Sequence, residues 1–88
     1  MESRRLIAYN LMRIRLSRSL SQEALALSSG VDRTYVSGLE RGLRNPSVDI
    51  LDRLAKKLSI KTSELFADMP RDTKLTPLPR GRKPKIKK

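Results

Sequence analysis

The feature that most constrains this 88-residue chain is the spacing of its apolar side chains. Up to about residue 69 they recur three and four positions apart, and no stretch alternates as a half-buried strand would. Serine, threonine and aspartate stand where these segments begin, and glycine stands where two of them end. The pattern predicts about five short helices joined by tight turns. We therefore expect a compact all-α domain with a small core, which limits its stability.

The capping residues set the predicted helix bounds. Ser21 and Asp32 suit the N-caps of the second and third helices, which Gly30 and Gly42 should end. Thr62 is predicted to cap a short fifth helix that carries Leu65 and Phe66. The first four helices are predicted over about residues 3–17, 21–28, 32–41 and 47–58.

The composition restricts the chemistry available to the chain. It has no Cys and no His, which excludes disulfides, thiolate nucleophiles, Cys/His zinc sites and imidazole catalysis. We predict no enzyme activity, no cofactor and no metal site. No apolar run approaches the roughly 20 residues that span a bilayer, and the N-terminus lacks the apolar core of a signal peptide. A cytoplasmic location is expected, without membrane insertion.

Positive charge is concentrated at the C-terminal end. The chain has 20 basic and 9 acidic residues, a net charge of +11, of which residues 70–88 hold +7. This segment contains four of the five prolines and few aliphatic side chains, so we interpret 1–69 as the folded domain and 70–88 as a disordered basic tail. Such an excess makes a polyanion the expected partner, with nucleic acid favoured over an anionic membrane surface.

Part of the tail resembles an AT-hook, in which an Arg-Gly-Arg core lies in the minor groove of A·T-rich DNA. The usual core continues with proline, whereas here Lys83 comes before Pro84. Minor-groove insertion and a non-specific electrostatic arm both remain open. The tail residues predicted to contact DNA are Arg80, Gly81, Arg82 and Lys83.

The second and third predicted helices have the layout of a helix-turn-helix unit over about residues 21–41. On a helical wheel of residues 31–41, Val31, Tyr35, Val36 and Leu39 fall on one side. The opposite side carries two guanidinium and two hydroxyl groups and no carboxylate, a combination that suits base edges and phosphates. These outward residues are Arg33, Thr34, Ser37 and Arg41.

Thirteen positions at fixed spacing resemble the Cro/C1-type helix-turn-helix family of transcriptional regulators, also called the xenobiotic-response-element type. The resemblance covers residues 5–67, and its closest likeness is to small stand-alone regulators such as restriction–modification controller proteins. It implies a five-helix domain, a third helix in the DNA major groove, and in many members a dimer on a palindromic operator. The matching residues are Ser21, Gln22, Leu25, Ala26, Gly30, Val31, Val36, Ser37, Glu40, Gly42, Pro46, Ser47 and Leu51.

The resemblance also implies roles for individual residues. Base contacts are expected from Arg33, Thr34, Ser37 and Gln22. Backbone contacts are expected from Ser21, Tyr35, Gly38, Arg41, Arg44 and Asn45. For Tyr35 the favoured arrangement is core packing with its hydroxyl toward a phosphate, and base reading is the alternative. The alternatives for Arg33 are a phosphate contact or a solvated charge, and for Gly38 mere tolerance of glycine.

Two further sets have structural roles. Arg15 and Glu40 are expected to form an ion pair, as the family commonly has, whereas Ser19 stands where the family often has Gly. Leu58 and Leu65 are predicted to be core residues. The predicted dimer interface consists of Ile60, Phe66 and Met69, whose alternative is ordinary core packing.

These expectations favour a sequence-specific regulator that binds double-stranded DNA as a homodimer, in a bacterial or phage-encoded, nucleoid-associated setting. The main alternative is an antitoxin-type module that sequesters a toxin protein and autoregulates. RNA or membrane binding through the tail is a weaker third possibility, because stacking on RNA bases needs more aromatic residues than this chain has.

Overall fold

The computed structural model describes residues 2–70, and this part of the chain is helical, without a strand. The elements are α1 (Glu2–Ser17), α2 (Gln22–Ser29), α3 (Arg33–Glu40), α4 (Val48–Leu58) and a 3₁₀ helix (Thr62–Phe66). The all-α class is therefore confirmed for the described residues. Beyond Pro70, the predicted tail lies outside them.

Side-chain caps begin three helices, and two of them, at Ser21 and Asp32, were predicted. The Ser21 hydroxyl accepts a hydrogen bond from the Ala24 amide, with 2.9 Å between Oγ and N. The side chains of Asp32 and Ser47 cap α3 and α4 in the same way. Each cap satisfies a backbone N–H that has no partner within its helix.

The prediction of five α-helices is wrong in its last member. Residues 62–66 form a 3₁₀ helix, and Lys61 rather than Thr62 is the N-cap residue. Within it the Glu64 amide donates to the Lys61 carbonyl three residues earlier, which is the 3₁₀ pattern. The Leu65 and Ala67 carbonyls both accept hydrogen bonds from the Asn10 side chain, so a polar residue of α1 binds this segment where an α-helix would use its own amides.

One hydrophobic core joins all five elements. Helix α1 packs against α3 and the 3₁₀ helix, α2 packs against α3 and α4, and α4 also contacts the 3₁₀ helix. Leu58 and Leu65 are fully buried, which confirms their predicted place in the core. The other large side chains that are almost completely buried are Leu11, Leu25, Val36, Leu39 and Leu54. No described helix is long and apolar enough to cross a membrane.

Candidate nucleic-acid interface

A tight turn fixes α2 against α3. Gly30 ends α2 in the left-handed region, at a φ of 75°, which favours a residue without a Cβ. The amides of Gly30 and Val31 both donate to the Ala26 carbonyl, at 2.9 and 3.2 Å. Val31 is buried, and α3 begins two residues later. The two helices are thus held as a helix-turn-helix unit.

Helix α3 is divided into a buried side and an outward side. Val36 and Leu39 are buried in the core, as the helical wheel predicts. Arg33 and Thr34 are exposed, and so is Arg41 at the end of the helix. Ser37 also lies on the outward side and is half-buried. Glu40, the one acidic residue within α3, is buried.

The loop after α3 folds back over the helix. The Leu43 amide donates to the Gly38 carbonyl at 2.9 Å. The Arg44 guanidinium carbon lies 5.3 Å from the centre of the Tyr35 ring, within cation–π range. A Cβ at Gly38 would come within 2.8 Å of Arg44 Cγ. The Arg44 side chain therefore lies across α3, whereas Asn45 is exposed in the loop.

A buried hydrogen-bond network connects α3 to α1 and α2. Arg15 donates to both carboxylate oxygens of Glu40, from Nε to Oε2 at 2.6 Å and from Nη2 to Oε1 at 2.9 Å. The same guanidinium donates from Nη1 to the Leu20 carbonyl at 2.6 Å. Arg15 is 4% exposed and Glu40 is 2% exposed, so the two charges neutralise each other away from water.

Gln22 takes part in this network. Its amide nitrogen donates to Glu40 Oε1 at 3.0 Å, and the residue is half-buried. The predicted base contact would therefore have to use the amide oxygen or the remaining N–H. The bond also connects the first turn of α2 to the end of α3.

Sequence reasoning missed Asn10, which is completely buried. Its amide nitrogen donates to the carbonyls of Leu6, Leu65 and Ala67, and Arg13 donates to its amide oxygen. The available signal was its position, because residue 10 lies three or four places from apolar residues on both sides of it in α1. A polar residue on an apolar stripe is usually buried with its hydrogen bonds satisfied.

Comparison with known proteins identifies the family. A family model described as helix-turn-helix matches residues 11–65, which include the turn and the whole of α3. The chain belongs to the Cro/C1-type helix-turn-helix family of transcriptional regulators.

Similar Cro/C1-type proteins include controller proteins of restriction–modification systems. The control protein C.BamHI of Bacillus amyloliquefaciens is 41% identical over 64 residues, which cover 72% of this chain and 79% of that protein. The crystal structure of the controller protein C.AhdI from Aeromonas hydrophila has a TM-score of 0.72 and 42% identity, covering 75% of this chain and all of that one. A tetramer of the controller C.Esp1396I, solved with its natural 35-base-pair operator, has a TM-score of 0.67 and 34% identity over 73% of this chain and 84% of that chain.

The remaining candidate residues of this Cro/C1-type chain belong to other parts of the sequence than α3. Ser21 is exposed, although its hydroxyl already caps α2. Ile60 and Met69 are half-buried and Phe66 is 40% exposed, so each retains accessible apolar surface near the end of the domain. The predicted tail contacts at Arg80, Gly81, Arg82 and Lys83 lie outside the described residues.

Proposed function

We propose that this chain is a small transcriptional regulator that inserts α3 into the major groove of operator DNA. The outward side of α3 supports this most directly, because it offers guanidinium and hydroxyl groups. Glu40, the one carboxylate within α3, is buried, and the Asp32 carboxylate before the helix is bound to the Thr34 amide. A carboxylate on that side would repel the phosphates that line the groove. The buried network behind α3 holds this surface in a fixed orientation, which favours a defined set of base contacts.

Arg33 is the residue we assign to base reading. It is exposed at the first position of α3, and a bidentate contact from arginine to guanine O6 and N7 is the commonest specific pairing in the major groove. Thr34 and Ser37 follow on the same side and are assigned to base edges, with Gln22 beside them. Contacts to the DNA backbone are assigned to Ser21, Arg41, Arg44 and Asn45, whereas Tyr35 and Gly38 lie under the Arg44 side chain and are assigned no direct contact.

A dimer on a palindromic operator completes this proposal. Two recognition helices must lie ~34 Å apart to read half-sites one turn apart, which requires a two-fold protein. The accessible apolar surface of Ile60, Phe66 and Met69 is assigned to that interface. The solved complex of C.Esp1396I with its operator is a tetramer of that relative, which supports assembly of more than one copy on DNA.

The antitoxin alternative receives less support than the regulator. The relatives described above are regulators or control proteins, and a position in the cytoplasm with double-stranded DNA as partner fits that role. The same family membership favours binding without catalysis. We assign the basic tail of residues 70–88 to additional affinity for DNA.

The proposal can be tested by selection from a pool of randomised duplexes at ~150 mM salt, a physiological ionic strength. The full chain would be compared with Arg33→Ala. We expect the full chain to enrich a palindrome, and Arg33→Ala to relax one base pair in each half-site, with a loss of discrimination of ~1–3 kcal/mol.

A matched control is Arg5→Ala, which removes an exposed arginine from α1 instead of α3. This variant should select the same palindrome as the full chain. The proposal fails if no motif is enriched, or if Arg33→Ala and Arg5→Ala select the same motif as the unaltered chain with equal stringency.

A further inference from the structure

Arg44 combines exposure with a fixed position. It follows α3 in the chain and is exposed, which is typical of a mobile loop arginine. Its guanidinium nevertheless lies over the Tyr35 ring, at 5.3 Å from the ring centre. Tyr35 is half-buried in the first part of α3, so the guanidinium rests on a rigid element.

Gly38 provides the space for this arrangement. A Cβ at this position would lie 2.8 Å from Arg44 Cγ, 2.8 Å from Arg44 Nε and 3.3 Å from Arg44 Cδ. A Cβ does not approach the atoms of another side chain within 3.0 Å, so the Arg44 side chain would have to move. The backbone at residue 38 does not itself require glycine, because the positive φ angles of glycines in the described chain occur at Gly30 and Gly42.

A glycine in the middle of a helix costs stability relative to alanine, because the chain gives up more conformational freedom. The structure shows what occupies the space that this glycine leaves free: the flat side chain of Arg44, with the Tyr35 ring three residues earlier on the same side of α3. Residues three apart on a helix are neighbours. Tyr35 and Gly38 thus form one surface, which we call the Arg44 seat.

We propose that the Arg44 seat preorganises the Arg44 guanidinium for DNA, so that Gly38 and Tyr35 are positioning residues that act through Arg44. This inference rests on the proposed DNA-binding function and assigns these two residues a role other than direct contact. Two N–H groups of a guanidinium can donate together to guanine O6 and N7, or to two oxygens of a phosphate. If the Arg44 guanidinium is already held in its binding position, less conformational entropy is lost when DNA binds.

The seat itself can be tested without DNA. In NMR spectra of the full chain, the Arg44 Cδ protons should show an upfield ring-current shift from Tyr35. Gly38→Ala should abolish this shift while leaving the melting temperature unchanged or raised. The Arg13 guanidinium lies 5.9 Å from the centre of the Tyr9 ring, which provides an internal control whose shifts should not change. An unshifted Arg44 in the unaltered chain, or a shift that survives Gly38→Ala, would overturn the proposal.

The use of the seat can be tested by a double-mutant cycle of Gly38→Ala and Arg44→Ala, with dissociation constants measured by fluorescence anisotropy. The probe is the selected operator duplex, or a mixed-sequence duplex if selection yields no motif. Arg44→Ala should weaken binding about tenfold, as the loss of one good bidentate contact would. Gly38→Ala should weaken binding about three- to tenfold in the native background and less than about twofold in the Arg44→Ala background.

Arg41→Ala is the matched control, since Arg41 is also an exposed arginine at the end of α3. In that background, Gly38→Ala should keep its full effect. An undiminished effect of Gly38→Ala without Arg44 would instead mean that the missing side chain lets DNA approach, and would overturn the proposal. No effect in any background would overturn it as well.

A further variant tells whether Arg44 binds a base or a phosphate, and the choice of duplex separates this proposal from the proposed function. Arg44→Lys should weaken binding about as much as Gly38→Ala, because lysine lacks the planar guanidinium that lies over Tyr35. The selected motif should stay unchanged if Arg44 binds a phosphate, and one base pair should be relaxed if it binds guanine. If selection enriches no motif, the proposed sequence-specific function is overturned. The double-mutant cycle can still be measured on a mixed-sequence duplex, so the role of the Arg44 seat is decided separately.

Discussion

At the scale of single residues, the carboxylate of Glu40 is the most constrained group behind α3. It accepts hydrogen bonds from Arg15 and Gln22 and is almost completely buried. We predict that Glu40→Ala lowers the free energy of unfolding by ~3–5 kcal/mol, because it leaves the Arg15 charge buried without its partner. Since small domains have only ~5–15 kcal/mol in total, urea denaturation followed by circular dichroism should show the loss clearly.

The control for Glu40→Ala is the double variant Arg15→Ala/Glu40→Ala, which removes both charges. It should be less destabilised than the sum of the single variants, because neither charge is then left alone. Arg41→Ala, at an exposed position, should change the free energy of unfolding by less than ~0.5 kcal/mol. A Glu40→Ala variant of native stability that binds DNA poorly would contradict the structural role and indicate direct contact instead.

Asn10, in α1, is a second buried polar residue with a structural role. Its amide nitrogen donates to the carbonyls of Leu65 and Ala67, at 3.1 and 2.8 Å, and so attaches the 3₁₀ helix and the residue after it to α1. We predict that Asn10→Ala costs ~1–3 kcal/mol of unfolding free energy, since these buried carbonyls lose a donor. Asn10→Asp should cost more at neutral pH, because a carboxylate of nearly the same size cannot donate to them. Thermal denaturation should give the highest melting temperature for the native chain, a lower one for Asn10→Ala and the lowest for Asn10→Asp. An Asn10→Asp variant as stable as the native chain would contradict this prediction.

At the scale of elements, two turns contain serine where the backbone favours glycine. Ser19, between α1 and α2, has a φ of 57°, and Ser59, after α4, has a φ of 60°. The left-handed conformation costs an L-residue about 1–2 kcal/mol, and glycine avoids this cost. Part of the gain is offset, because glycine loses more conformational entropy than serine when the chain folds. We therefore predict that Ser19→Gly and Ser59→Gly each raise the free energy of unfolding, by up to ~1 kcal/mol.

Ser28 is a matched control for these glycines, because it is exposed and lies within α2. Ser28→Gly should lower stability by roughly 0.5 kcal/mol, as expected for glycine in a helix. Differential scanning calorimetry should show a higher melting temperature for Ser19→Gly and Ser59→Gly and a lower one for Ser28→Gly. A decrease in all three would show that the turns do not gain from glycine.

The elements also show how far sequence reasoning reaches. The caps at Ser21, Asp32 and Ser47 were predictable, since each is a local interaction between a side chain and an amide two or three residues later. The burial of one side of α3 was also predictable, because it follows from the spacing of apolar residues within that helix. The 3₁₀ helix was not predicted, and its contacts are not local: the carbonyls of Leu65 and Ala67 accept hydrogen bonds from Asn10, more than fifty residues away in the sequence.

The same distinction applies to the candidate interface. The residue types on α3 could be read from the helical wheel, and the pairing of Arg15 with Glu40 followed from the family resemblance. The position of Arg44 over Tyr35 and Gly38 could not be predicted, because it depends on how the loop after α3 folds back. No periodic pattern describes such a loop.

At the scale of the whole molecule, affinity and specificity are expected to depend on different segments. Residues 70–88 hold a net charge of +7, against +4 for residues 1–69. Each phosphate that a basic side chain neutralises adds ~0.9 to the slope of log affinity against log salt concentration. A chain truncated after Met69 should therefore bind its operator with a shallower salt dependence, while selecting the same palindrome as the full chain.

A full-length variant with Arg80→Lys and Arg82→Lys separates the two roles proposed for the tail. It keeps the net charge and removes the Arg-Gly-Arg core, because lysine cannot present the guanidinium that favours a narrow minor groove. An electrostatic arm predicts an unchanged salt slope and unchanged sequence preference, whereas minor-groove insertion predicts the loss of any preference for A·T base pairs beside the palindrome. Binding titrations of the native chain, the lysine variant and the truncated chain at several salt concentrations would decide between them. If truncation left the slope unchanged, the tail would not contact DNA, and the phosphate contacts would have to come from the residues around α3.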